Sequence, residues 1–126
     1  MNNMESNKEQ AVSFLKLVSS GLVEEAYSKY VSPEFRHHNP YFPGNIEALK
    51  EGMEDSAVKS PDKILQVHQA IEENNLVMVH SHIKQSPEDI GSAVVHIFRF
   101  EKEQIVELWD VGQAVPEDSQ NENGMF

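Results

Sequence analysis

Between Val94 and Pro116 apolar and polar positions alternate with a period of two, broken once by Glu101-Lys102-Glu103-Gln104. Two runs rich in β-branched and aromatic residues around a charged break predict a β-hairpin. Alternation sorts each strand into two faces. On the first, Val94, His96, Phe98 and Phe100 oppose Ala93, Val95, Ile97 and Arg99. On the second, Val106, Leu108, Asp110, Gly112 and Ala114 oppose Glu107, Trp109, Val111, Gln113 and Val115. His96 and Asp110 therefore each share a face with apolar or small residues. An ionisable group there is costly unless it is paired or changes its protonation state. Two such positions on adjoining strands imply one pocket.

Upstream the period is helical. Ser6 and Glu9 form an S-x-x-E capping box, and Ala11, Phe14, Leu15 and Val18 follow with the spacing of one buried helix face. Gly21 is the stop. A second short helix puts Leu22, Val23, Ala26, Tyr27 and Tyr30 inward and ends before Pro33. Phe35 to Gly44, FRHHNPYFPG, is rich in turn formers and predicts a loop after at most a brief strand. Asn45 is a good N-cap for a third helix burying Ile46, Leu49 and Met53. Past Pro61 the period returns to two. Lys63 to Glu73 and Leu76 to Lys84 predict strands joined at Asn74-Asn75, both tolerant of positive φ. With Gln85 to Gly91 as loop, the expectation is a four-strand antiparallel meander. Helices first and sheet second predict an α+β fold with the helices on one sheet face, in one domain spanning residues 1–126.

Composition narrows the function. The chain has 126 residues with 39% hydrophobic and 25% charged, ordinary values for a folded soluble domain. No stretch is long enough to span a bilayer and no basic-then-apolar segment opens the chain, so a cytoplasmic location is expected. The absence of cysteine excludes disulfides, thiolate metal sites and cysteine nucleophiles. A net charge of −11 disfavours nucleic acid and anionic membranes as partners. No phosphate loop, nucleotide fingerprint or serine nucleophile constellation is present.

Two separated segments, HNPYFPG at His38 to Gly44 and HIFRFEKEQIVELWDV at His96 to Val111, resemble the SnoaL-like polyketide cyclase group. That group lies within the nuclear-transport-factor-two-like superfamily, which includes ketosteroid isomerases. The resemblance runs from the first helix to the NGMF ending. It implies a cone-shaped α+β barrel, also called cystatin-like, in which a strongly curved antiparallel sheet wraps N-terminal helices and leaves a pocket in its mouth. It also implies a homodimer through the outer sheet face, where Val95, Ile97, Trp109 and Val111 are too apolar for water.

The resemblance further implies aldol-type cyclisation or isomerisation of a small apolar or carbonyl-bearing ligand, without metal or cofactor. A proton leaves the carbon beside a carbonyl, and another reaches the developing alkoxide. In the characterised cyclases an aspartate is the acid/base and a histidine precedes it by the spacing of His96 and Asp110. Asp110 and His96 are therefore the catalytic candidates. The alternatives are that Asp110 caps a loop amide or pairs with Arg36, and that His96 is a satisfied core histidine. His96 is expected to hydrogen-bond Asp110 or a substrate oxygen and to hold a proton near neutral pH. His38 and Asn39 are candidate rim donors, or Asn39-Pro40 only shapes a turn, and His37 is expected to face solvent. Phe14, Tyr27, Tyr41, Phe42 and Phe98 are candidate cavity walls or ordinary core. His80 and His82 share a face with Met78; pocket lining is preferred for His80, and no metal is expected. A non-catalytic ligand-binding or dimeric interaction domain of the same fold is the competing class.

Overall fold

The computed structural model describes residues 5–126. Helix α1 (Asn7–Ser19) starts at the expected capping box: the Ser6 hydroxyl accepts from the Glu9 amide at 3.1 Å and the Glu9 carboxylate from the Ser6 amide at 2.8 Å. Such a cap contributes about 1 kcal/mol. Gly21 leaves the helix at φ +86°, a conformation glycine adopts without a Cβ clash. Helix α2 (Val23–Tyr30) buries Val23, Ala26, Tyr27 and Tyr30. Leu22, expected inside, is instead the N-cap residue and half-exposed, because the turn at Gly21 lifts it off the buried stripe. Helix α3 (Ile46–Lys59) is capped by Asn45, whose Oδ1 accepts from the Ala48 amide, and buries Leu49 with Ile46 and Met53 partly covered.

The sheet contains the expected four-strand antiparallel meander and adds a strand to it. Strand β1 (Val31–His37) follows α2 directly, ahead of β2 (Ile64–Glu73), β3 (Leu76–Lys84), β4 (Ser92–Glu101) and β5 (Gln104–Ala114). The spatial order is β1-β5-β4-β3-β2, so the sheet has five strands rather than four. β1 pairs parallel to β5 while all other pairs are antiparallel. β1 is longer than the brief strand expected ahead of the Phe35 to Gly44 loop, and it contains Pro33. Its edge position and the register break between Val31 and Arg36 remove the need for a continuous ladder, so proline is tolerated. The hairpin turns fall where predicted, with positive φ at Asn74 and at Lys102 and Glu103.

The sheet stays open, with β1 and β2 as its edges, and carries the helices on one face. α1 packs on β2 and β3, and α3 on β1. Between them lies a core in which Phe14 meets Tyr27 and Phe98 edge-on, at 5.5 and 5.9 Å between ring centres. Phe14 and Phe98 have no solvent exposure. No helix among the described residues is long and apolar enough to cross a membrane.

Candidate functional site

The antiparallel register of β4 and β5 sets His96 directly opposite Asp110, with Phe98 opposite Leu108 below and Val94 opposite Gly112 above. This is the helix-side face. Phe98 and Leu108 are fully buried, His96 is 7% exposed and Asp110 is half-buried at the end of the apolar row. Asp110 lines a hollow of about 470 Å³ with Asn39, Tyr41, Val94 and Gly112. The hollow opens to solvent. Gly112 contributes space there, since a Cβ would already meet Val94 Cγ2 at 3.6 Å.

Asp110 is held by an amide and not by a cation. Asn39 Nδ2–H donates to Asp110 Oδ2 at 2.9 Å, and Asn39 Oδ1 accepts from the Tyr41 amide at 2.9 Å. Asn39 is itself anchored: its amide donates to His37 Nδ1 at 3.0 Å while His37 Nε2–H donates to the Pro43 carbonyl at 2.7 Å. Those two bonds fix the tautomer of His37, which is buried against Phe35 instead of facing solvent. The expectation failed because β1 runs through His37 and turns alternate residues inward.

The same alternation sends His38 outward, away from the rim. Its ring lies flat on Trp109, 4.9 Å between centres, and its Nε2–H donates to Glu107 at 2.6 Å. Arg36 and Arg99 complete the cluster on Glu107 at 3.0 and 2.9 Å. Arg36, the alternative partner of Asp110, is thereby on the opposite sheet face. Burial favours the neutral form of Glu107, but hydrogen bonds from His38, Arg99 and Arg36 outweigh it and hold the carboxyl down at about 2. Nothing in the sequence reading singled out Glu107. The available signal was an acid amid apolar outer-face residues with an arginine, Arg99, on the facing strand.

His96 departs from expectation in charge. Burial pushes its pKa down to about 4 against the opposing pull of Asp110, so the ring is neutral near pH 7. It makes no hydrogen bond to Asp110, and its Nδ1 is buried with no partner among the described residues. Ser81, on the same face of β3, has an equally unpartnered hydroxyl and also escaped the sequence reading.

The remaining candidates scatter. Asn39 and Tyr41 reach the hollow. Phe42 packs instead over Gly52 of α3, and Phe14 and Phe98 are core residues away from the hollow. His80 lines a different hollow, of about 340 Å³ on the outer sheet face with Val95, Val111 and Met125, and with His68 and His82 it surrounds the ring of Phe126, 4.4 to 5.6 Å between centres. β3 has apolar residues on both sides, so alternation alone did not say which was inner. Among the described residues no group of three or more histidine, aspartate or glutamate side chains is arranged to hold a metal ion.

A family model described as a SnoaL-like domain matches residues 12–108. No curated protein matches the chain. Among solved structures, it is similar to an uncharacterized cystatin-fold protein from Novosphingobium aromaticivorans, with TM-score 0.73, 17% identity, and 86% of this chain and 99% of that one covered. It is also similar to a candidate polyketide cyclase from Acidithiobacillus ferrooxidans, at 0.69 and 19%, covering 90% and 92%. AclR, a candidate hydroxylase from Streptomyces galilaeus, superposes at 0.72 and 17%, covering 85% and 88%. At these identities the likeness concerns the fold.

Proposed function

Because this chain belongs to the SnoaL-like domain family, in the nuclear-transport-factor-two-like superfamily, we propose that it moves a proton on a small carbonyl compound without a cofactor, as an aldol-type cyclase or isomerase does. Asp110 is the base that removes a proton from the carbon beside the carbonyl and later returns it. Neutral His96, directly opposite, offers an N–H to the carbonyl oxygen. Asn39 orients the carboxylate without neutralising it, since an amide donor carries no charge. One observation carries the reading: a carboxylate lining a hollow, on an otherwise apolar row, bound among the described residues by a single neutral donor.

The test is hydrogen–deuterium exchange at the α-carbon of acetylacetone in D2O, followed by NMR. The chain is expected to accelerate exchange over buffer, and Asp110→Asn to lose about 10²–10⁴-fold, the usual contribution of a positioned base. An Asp110→Asn variant exchanging as fast as the parent would refute the assignment. The openness of the hollow favours a second reading, a non-catalytic ligand holder. Binding of carbonyl compounds with no exchange in the parent chain would select it.

The outer sheet face supports a homodimer. Ile71, Met78 and Val111 are 58%, 46% and 64% exposed there beside half-buried Val95, Ile97 and Trp109. Sedimentation of the purified chain at the mass of one subunit at micromolar concentration rejects this arrangement.

A further inference from the structure

Ser81 Oγ and His96 Nδ1 are both buried and, among the described residues, both without a hydrogen-bond partner. Ser81 is 0% and His96 7% exposed. Leaving such a group unpaired costs about 1–3 kcal/mol, and buried polar groups are rarely left so. Two together call for a common explanation, and the register supplies one. Ser81 stands opposite Val94, two residues from His96 on the same face of the neighbouring strand. Diagonal neighbours of this kind have backbones about 7–8 Å apart, and both side chains project from the same face, so their polar tips converge on a position where one ligand oxygen meets both. His96 in turn stands opposite Asp110, and Val94 and Gly112 are walls of the hollow. Val94 alone separates Ser81 from that space in its row, because Gly112 has no side chain.

We propose that Ser81 is a substrate-contacting residue, its hydroxyl and the Nδ1–H of His96 together holding the oxygen of a ketone or 1,3-diketone whose α-carbon lies against Asp110. The inference rests on the proton-transfer reading and deepens it. Asp110 takes the α-proton; the C–H electron pair becomes the new carbon–carbon double bond, and the carbonyl π pair moves onto oxygen. The resulting enolate oxygen faces two fixed donors on the buried side of the open hollow, since both Ser81 and His96 are themselves almost wholly covered. Return of the proton from Asp110 restores the carbonyl compound or its isomer. The same pair explains selectivity. Arg36, Arg99 and the His38 ring all engage Glu107 on the other face, and no lysine or arginine is among the residues lining this hollow, so nothing here welcomes a phosphate or polyanion.

The test has a ligand-free and a ligand-bearing arm. In the free protein Ser81→Ala removes an unpaired hydroxyl, so the melting temperature is expected to stay or rise; a fall of several degrees shows the hydroxyl already satisfied and overturns the proposal. In D2O with acetylacetone, Ser81→Ala is expected to lower kcat for exchange about 10²–10³-fold, the cost of one donor to a developing oxyanion, with KM little changed and Ser81→Cys intermediate. Exchange by Ser81→Ala equal to the parent overturns the role of Ser81 while leaving Asp110 as the base. A parent chain that exchanges no faster than buffer overturns both.

Discussion

Asp110 and Glu107 lie three residues apart on β5 and face opposite sides of the sheet. Glu107 is 4% exposed and saturated, with two arginines and a histidine on its oxygens. Asp110 is more exposed and has one side-chain amide. The more buried acid is thus the inert one. Three cationic or N–H donors fix Glu107 in its ionised form and occupy its lone pairs, leaving it no capacity to accept a substrate proton. Asp110 retains open lone pairs toward a hollow. What separates a structural carboxylate from a reactive one in this fold is how much of its hydrogen-bonding capacity the protein has already used.

The sharpest way to break that contrast is the Asp110→Asn exchange experiment, where an effect of several orders of magnitude is expected on rate and little on stability. Acid titration of stability comes next in size. The unfolded chain protonates His96 below pH 6.5, while the folded chain resists until about pH 4. The unfolded state therefore binds more protons in that window, and stability falls as pH drops through it, by roughly 3 kcal/mol at 1.36 kcal/mol per pH unit. Glu107 acts in the next window. Its folded pKa is depressed from 4.5 to about 2, so its contribution is present above pH 4.5 and is lost on further acidification toward 2. Urea unfolding at stepped pH checks both limbs. His96→Phe is expected to flatten the limb between 6.5 and 4.5 and Glu107→Gln the one below. An unchanged upper limb in His96→Phe assigns the loss to another group.

Legibility from sequence followed the range of the interactions. Caps at Ser6 and Asn45, the turn at Lys102-Glu103 and the two faces of β4 and β5 are set by residues a few positions apart, and all were readable. The pairing of His96 with Asp110 across one short hairpin was readable for the same reason. β1 was not, because its partner β5 is some seventy residues distant and Pro33 hides an edge strand. That one omission carried into the site. Without the strand there was no reason to turn His37 inward and His38 outward, so the two histidines were assigned the wrong sides. Ser81 and Glu107 went unseen because their importance lies in what surrounds them, which for Ser81 is nothing and for Glu107 is three donors from two other strands and a loop.

The smallest expected effect sharpens the comparison from the other side, through the residue that aims Asp110's one donor. His37 does not itself line the hollow, yet it accepts from the Asn39 amide and donates to the Pro43 carbonyl, pinning the loop whose side chain holds Asp110. His37→Phe keeps an aromatic ring against Phe35 but removes both bonds. Losing that support is expected to lower kcat for α-proton exchange about tenfold, the equivalent of roughly one ordinary hydrogen bond of about 1.4 kcal/mol. KM should barely move, because the hollow's walls are unaltered, and His37→Gln, which retains a donor for Pro43, should recover part of the rate. A purely structural role for His37 predicts something different: reduced stability with normal kcat in the folded fraction. If His37→Phe behaves that way, Asn39 needs no anchor to orient the carboxylate, and Asp110 differs from Glu107 only in how many donors it has, not in how its single donor is held.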